Sequence, residues 1–208
     1  MSTPPVLHDP HVWSNLVDAV QPASILVAIH WRLGDLQARL TPEDVWQETL
    51  LRAWQAQREF EWQGTASFRR WLMRIAENCI ETIRAHEHAQ KRDLGRTVPL
   101  SLPRAGADGT RATEPWGSTT PSRVAAERER AQAMQRALAA LPDELREVVR
   151  LRLFEDLPIL DIAARLGLGE SGVRHRVRKG VELFHQRLRA AQAATDAATG
   201  DASAGSSC

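Results

Sequence analysis

The residues best suited to chemistry lie between Ser171 and Lys179, SGVRHRVRK, where Ser171, Arg174, His175, Arg176, Arg178 and Lys179 crowd cations and hydrogen-bonding groups into three helical turns. Guanidinium groups grip phosphate and present a fork that matches the edge of guanine. A helix carrying several of them near its start is what the major groove of DNA accepts. An apolar stripe positions them. Val173, Val177, Val181, Phe184 and Leu188 fall on one narrow face, which leaves Arg174, His175, Arg178 and Lys179 pointing outward and Arg176 at the stripe's edge. Ser171 is the expected cap of this helix. A plainly solvated helix can also be basic, so the preceding element matters. Ile159, Ile162, Ala163 and Leu166 recur at i, i+3, i+4 and i+7, opened by Pro158 and closed by Gly167. Two helices around a tight turn, the second one basic, outline a helix-turn-helix. Gly180 interrupts the second helix at a propensity cost of roughly 1 kcal/mol, unless close packing requires it.

A second group is acidic. Between Thr41 and Thr65 stand Glu43, Asp44, Glu48, Glu59 and Glu61, whereas the whole chain is nearly neutral, with 27 Lys and Arg against 26 Asp and Glu. Net charge therefore names no partner, but the uneven distribution predicts separate surfaces for separate partners. Thr41 is the expected cap of a helix with Pro42 at its first position and Asp44 three residues after the cap. Along that helix Asp44, Gln47, Glu48 and Leu51 recur at helical spacing, so one face can offer acceptors and an apolar anchor to a basic partner.

The remaining elements read as helices. Val12, Trp13, Leu16, Val17 and Val20 predict a first helix stopped by Pro22; Ile25, Leu26, Ile29 and Leu33 predict a second, ending near Gly34. After a loop from Phe60 to Ala66, Ser67 is expected to cap the best amphipathic helix, built on Phe68, Trp71, Leu72, Ile75, Ala76, Cys79, Ile80 and Ile83. From Leu94 to about Pro121 the pattern gives way to Gly, Pro, Ser, Thr and Ala, which reads as a linker. Helical spacing resumes near Val124 and restarts at Pro142. Alternating apolar runs and tyrosine are both missing, so the expected fold is all-α. Two small helical domains are joined by a flexible linker, the second a helix-turn-helix domain. The expected boundaries are 1–21 for an N-terminal extension with one helix, 22–93 for the first domain, 94–123 for the linker, 124–190 for the second domain and 191–208 for a disordered tail.

Two cysteines, Cys79 and Cys208, make neither a disulfide framework nor a metal quartet. A reducing cytoplasm fits that usage. The start, MSTPPVLHDP, has no basic segment followed by an apolar run, and no stretch reaches the ~18 apolar residues of a membrane span, so neither export nor membrane insertion is expected. Catalysis is not expected either. His86, Glu87 and His88 point to different sides of a helix, whereas a zinc-binding helix carries histidines four apart on one face. Metal, cofactor and catalytic residues are accordingly all expected to be none.

The order of parts, DVWQETLLRAW, a loop, FRRWLMRIAEN, a linker, ALAALPDELREVVRLRLFEDLPILDIAARLG and a basic helix, resembles an extracytoplasmic-function (ECF) sigma factor. The likeness covers about Pro22–Arg92 and Arg130–Arg189. It implies a first domain that holds core RNA polymerase and the minus-10 promoter element and a second that reads the minus-35 element, with the polymerase clamp helices and flap as contacts. Asp44, Gln47, Glu48 and Leu51 match the family's DxxQE docking segment, with Trp46 where a smaller apolar residue is usual. The loop and next helix match the segment that captures a flipped base in melted minus-10 DNA. Trp62, Gln63, Thr65 and Ser67 would line the base pocket with Asn78 beside it, and Arg69, Arg70, Arg74 and Arg84 would contact phosphates. Phe68, Trp71 and Leu72 read as core instead. The family's usual arginine run after this helix is here diluted to Arg84, His86, Glu87, His88, Lys91 and Arg92. Arg174, His175, Arg176 and Lys179 match minus-35-reading positions, although His175 stands where a small hydroxyl residue is frequent. Promoter DNA is thus the second implied partner, and the resemblance leaves room for an anti-sigma factor. The rival reading is a stand-alone helix-turn-helix regulator that binds DNA without polymerase.

Overall fold

A computed structural model of the chain describes residues 5–92 and 121–204. Its described elements are all helical: α1 (Pro10–Ala19), α2 (Pro22–Leu33), a 3-10 turn (Gly34–Ala38), α3 (Pro42–Ala56), a second 3-10 turn (Gln57–Glu59), α4 (Thr65–Arg92), α5 (Pro121–Ala139), α6 (Asp143–Val149) continued by a π turn (Arg150–Phe154), α7 (Ile159–Leu166) and α8 (Glu170–Ala204). The chain divides into two compact units, Met1–Glu127 and Arg128–Cys208.

In the first unit α2 is the central element. It is buried on every side from Pro22 to Ile29, which is why its sequence is apolar all round rather than striped. α3 and α4 pack on it and on each other. Val45, Ala53, Phe68, Leu72, Ala76 and Cys79 meet there with no exposed surface. Buried Thr49 satisfies its hydroxyl by donating to the Val45 carbonyl at 2.7 Å. The expected start of α3 is present in full: Thr41 accepts from the Asp44 amide at 3.2 Å while the Asp44 carboxylate accepts from the Thr41 amide at 3.0 Å. The helix ends at Ala56, where a 3-10 turn takes over.

α1 is held at both ends. At its start the Asp9 carboxylate accepts from the amides of His11 (2.8 Å) and Val12 (3.3 Å), and these backbone donors hold that carboxyl below its usual range. At its end the chain turns through Gln21, whose φ of 58° lets Pro22 begin α2 at once.

The second unit has its own core of Val148, Leu151, Ile162, Ala163 and Val173. Pro142 begins α6 as expected. The π turn that follows is not legible in the apolar pattern, and it has a plain consequence. Residues five apart point to opposite sides of an α-helix but to nearly the same side of a π turn, so Arg150 and Glu155 meet across it. Two expected boundaries shift. α5 begins at Pro121, so residues 121–123 are helical rather than linker, and α8 runs on to Ala204 through residues 191–204, expected as a disordered tail. The alanine-rich composition of that stretch favours helix despite Gly200. Linker positions 94–120 lie outside the described residues.

Candidate nucleic-acid interfaces and docking face

The second unit forms the predicted helix-turn-helix. α7 buries Ile162 and Ala163 and closes at Gly167, whose φ of 64° is the left-handed conformation that glycine takes without strain. The Leu168 amide returns to the Ala163 carbonyl at 3.0 Å and completes the stop. α8 then starts at Glu170, one residue before the predicted cap, so Ser171 lies exposed within the first turn rather than capping it. Val173 and Phe184 are buried, Val177, Val181 and Leu188 half-buried, and Phe184 meets Phe154 edge-on at 5.7 Å. That seam leaves Arg174, His175, Arg178 and Lys179 exposed and Arg176 half-buried, as the stripe predicted. Arg174 pairs with Glu170 at 2.9 Å, both side chains largely exposed. Such a pair contributes little stability and gives way readily to a phosphate or a base.

The same unit holds a charged network. Buried Arg150 donates to Glu147 (Nε to Oε2, 2.9 Å) and to Glu155, and Arg165 approaches Glu155 at 3.9 Å. Hydrogen bonding from Arg150 holds the Glu147 carboxyl below its usual range.

On α3 the expected docking residues separate. Asp44 and Gln47 are exposed and Leu51 half-buried, with the Asp44 carboxylate shared by the capping box. Glu48 is buried and takes a 2.7 Å hydrogen bond from Arg52 Nε. This corrects the expectation that all four share one open face. Glu48 falls at the edge of that face nearer Val45 and Thr49, and it turns toward the core.

The loop before α4 is shorter than predicted, because α4 starts at Thr65 and Ser67 lies in its first turn. Gly64, with φ 98°, makes the sharp entry. Phe68 is the hub beneath the loop: its fully buried ring meets Phe60 (5.7 Å), Trp62 (6.2 Å), Trp71 (5.8 Å) and Trp13 (5.5 Å). Phe60 also stacks on Trp71 at 4.6 Å. Trp62 is half-buried in this cluster, while Gln63 and Thr65 are exposed. Phe68 and Leu72 are core, as predicted.

Along α4, Arg70, Arg74 and Asn78 recur every fourth residue and form one exposed row leading away from the loop. Two arginines expected on phosphates donate to main-chain carbonyls, Arg69 half-buried and Arg84 still exposed. Arg69 donates to the Val20 carbonyl (2.7 Å) and the Ser24 hydroxyl (2.8 Å), and Arg84 donates to the Arg32 carbonyl. Sequence could not separate them from their neighbours, since one helical step decides whether a guanidinium meets solvent or a main-chain carbonyl. Trp13 is the opposite omission, marked by its spacing only as one apolar position of the first helix. Among the described residues no group of three or more His, Cys, Asp or Glu side chains is placed to hold a metal, and no single helix is long and apolar enough to cross a membrane.

Residues 17–89 match the family model of Sigma-70 region 2, and residues 131–183 match that of Sigma-70, region 4. The first match spans α2, α3, the loop and most of α4; the second runs from within α5 to the basic start of α8. The chain belongs to the sigma-70 family. It is 27% identical over 175 residues to the ECF RNA polymerase sigma-E factor of Salmonella typhimurium, covering 79% of this chain and 85% of that one. It is also 33% identical over 138 residues to the probable RNA polymerase sigma factor RfaY of Xanthomonas campestris pv. campestris, covering 66% of this chain but only 31% of that protein's length. Among solved structures, the sigma factor RpoE of Bartonella quintana, in co-crystal with the anti-sigma factor NepR, is 19% identical and covers 88% of this chain and 98% of its own, with a TM-score of 0.38. As a sigma factor, the chain is a DNA-binding initiation factor that works with core RNA polymerase, and the paired regions disfavour a stand-alone regulator.

Proposed function

We propose that the two units divide promoter recognition as the placement of their side chains suggests. The first docks on core RNA polymerase, through its clamp helices, by the α3 face that carries Asp44, Gln47 and Leu51, with Glu48 buried beneath it as the partner of Arg52. The loop around Trp62, Gln63 and Thr65, with Ser67 beside it, takes an extruded base of the minus-10 element. The row of Arg70, Arg74 and Asn78 tracks the same strand. The second unit places the start of α8 in the major groove at the minus-35 element, with Arg174, His175, Arg176, Arg178 and Lys179 in reach of bases and phosphates and Ser171 at the groove's edge. The protein works in the cytoplasm and catalyses no covalent step itself; its contribution is position and strand capture. What carries this reading is one chain holding both an exposed basic helix and a loop floored by aromatic rings and followed by an exposed Arg–Arg–Asn row.

Core polymerase mixed with the purified protein should co-elute with it and start transcripts at defined promoters. Tight duplex binding without polymerase binding would sink the reading. Gln47→Lys is the cleaner probe of docking, because Gln47 is exposed whereas charge reversal at Glu48 would also unpair Arg52. Polymerase affinity should fall at least about tenfold, ~1.4 kcal/mol, with unchanged thermal stability. Unchanged affinity in titrations of labelled protein against core polymerase excludes this face. Arg174→Ala should weaken holoenzyme binding by about 1–3 kcal/mol on DNA that includes the minus-35 element. On DNA truncated before that element the variant and the parent should bind alike.

A further inference from the structure

Trp13 lies on α1, ahead of the residues matched by the region 2 model, yet it is 2% exposed and its ring forms part of the floor under the loop. It meets Phe68 edge-on at 5.5 Å and an interplanar angle of 86°, and Trp54 at 5.3 Å and 83°. Phe68 in turn contacts Phe60 and Trp62 within the loop. A path of ring contacts therefore runs from α1 through Phe68 to the segment on which the extruded base would rest.

We propose that Trp13 is a positioning residue for minus-10 strand capture: it fixes the Phe68 ring, and through it the Phe60–Gly64 loop, in the form that receives an unpaired base. α1 is built to transmit that constraint. Asp9 caps its start, and at its end the half-buried Arg69 ties the Val20 carbonyl and Ser24 to the first turns of α4. Apart from Phe60 stacked on Trp71, the loop's anchor is this ring path, since Glu61 and Gln63 are exposed. Ring edges aimed at ring faces fix orientation as well as burial, which an aliphatic filler of the same site cannot do. Side chains that receive a flipped base must be placed before it arrives, because the lost stacking is offset only by a pocket already formed.

The inference rests on the functional reading above, and the test separates the two. Full-length protein carrying Trp13→Leu, which retains an apolar filler, and Trp13→Phe, which retains a ring edge, is assembled with core polymerase on a promoter mapped from transcripts made after overexpression. Polymerase affinity and permanganate reactivity of unpaired thymines are measured together. With Trp13→Leu, affinity should stay within about twofold while open complexes fall about tenfold, the size expected for two lost aromatic edge contacts. Trp13→Phe should restore most of the opening. Normal opening by Trp13→Leu overturns the inference, as does a parallel loss of affinity and opening, which marks a purely structural role. Absence of thymine reactivity with the unaltered protein overturns the functional reading and this inference with it.

Discussion

Replacing Arg150 with methionine is expected to cost the second unit about 3–5 kcal/mol of stability, the penalty for removing one partner of a buried ion pair. Arg150 is 8% exposed, and its guanidinium serves Glu147 and Glu155 together. Glu155 has a side chain only 3% exposed, so the substitution takes a direct donor from a carboxylate held away from water. Arg165 remains at 3.9 Å but is more than half exposed, and a solvent-screened cation at that distance replaces little of a direct hydrogen bond. The lower end, about 3 kcal/mol, is therefore the expected value, equivalent to a midpoint drop of roughly 12–24 °C for a domain of this size. The double change Arg150→Met, Glu155→Leu should recover most of it, because an apolar pair strands no charge. All the tryptophans precede residue 128, so amide hydrogen exchange in α6 to α8, not fluorescence, is the suitable readout. Protection within about 0.5 kcal/mol of the parent would rule out a structural role for the network.

Gly180→Leu is expected to remove about 3 kcal/mol from the same unit although leucine is the better helix former. A Cβ at residue 180 would stand 2.5 Å from Val149 Cγ2, far inside contact distance, and 3.5 Å from Leu145 Cβ, in ordinary contact, both on α6. Val149 is fully buried and its short branched side chain has nowhere to rotate, so α6 and α8 must move apart. Helix propensity works the other way by roughly 1 kcal/mol, which the overpacking cost exceeds. Since α8 carries the basic reading surface, separation from α6 should also lower minus-35 recognition more than polymerase docking by the first unit. Melting followed by circular dichroism checks the sign. A variant as stable as the parent would mean that the two helices tolerate a wider spacing.

Most of the helix-turn-helix is legible in the residue pattern alone. The i, i+3, i+4, i+7 spacing of Ile159, Ile162, Ala163 and Leu166 can be satisfied only by burying one helix face, and the α8 stripe leaves its cations no direction but outward. Helix starts at Thr41 and Pro142 and the stop at Gly167 are equally local, because capping groups act within one turn. The expected caps at Ser171 and Ser67 miss by two and three residues, since Gly169 and Gly64 supply the first accepting carbonyls and no side-chain cap is needed there to mark the start.

The helical class, the two-part order and the outward cations of α8 follow from periodicity and local backbone chemistry, which residue order alone carries. Tertiary structure decided which charges stay available. Arg69 and Arg70 are neighbours in a run of like residues, but one is spent on the Val20 carbonyl and the other reaches solvent. Glu48 sits in a motif with Asp44 and Gln47, but only Glu48 is drawn under the helix by Arg52. Trp13 joined the loop floor through partners 41 and 55 residues away, Trp54 and Phe68, and Arg150 met Glu155 because a π turn replaced an α turn. Contacts of that kind depend on where separate elements come to rest, a quantity that no local pattern of residues encodes.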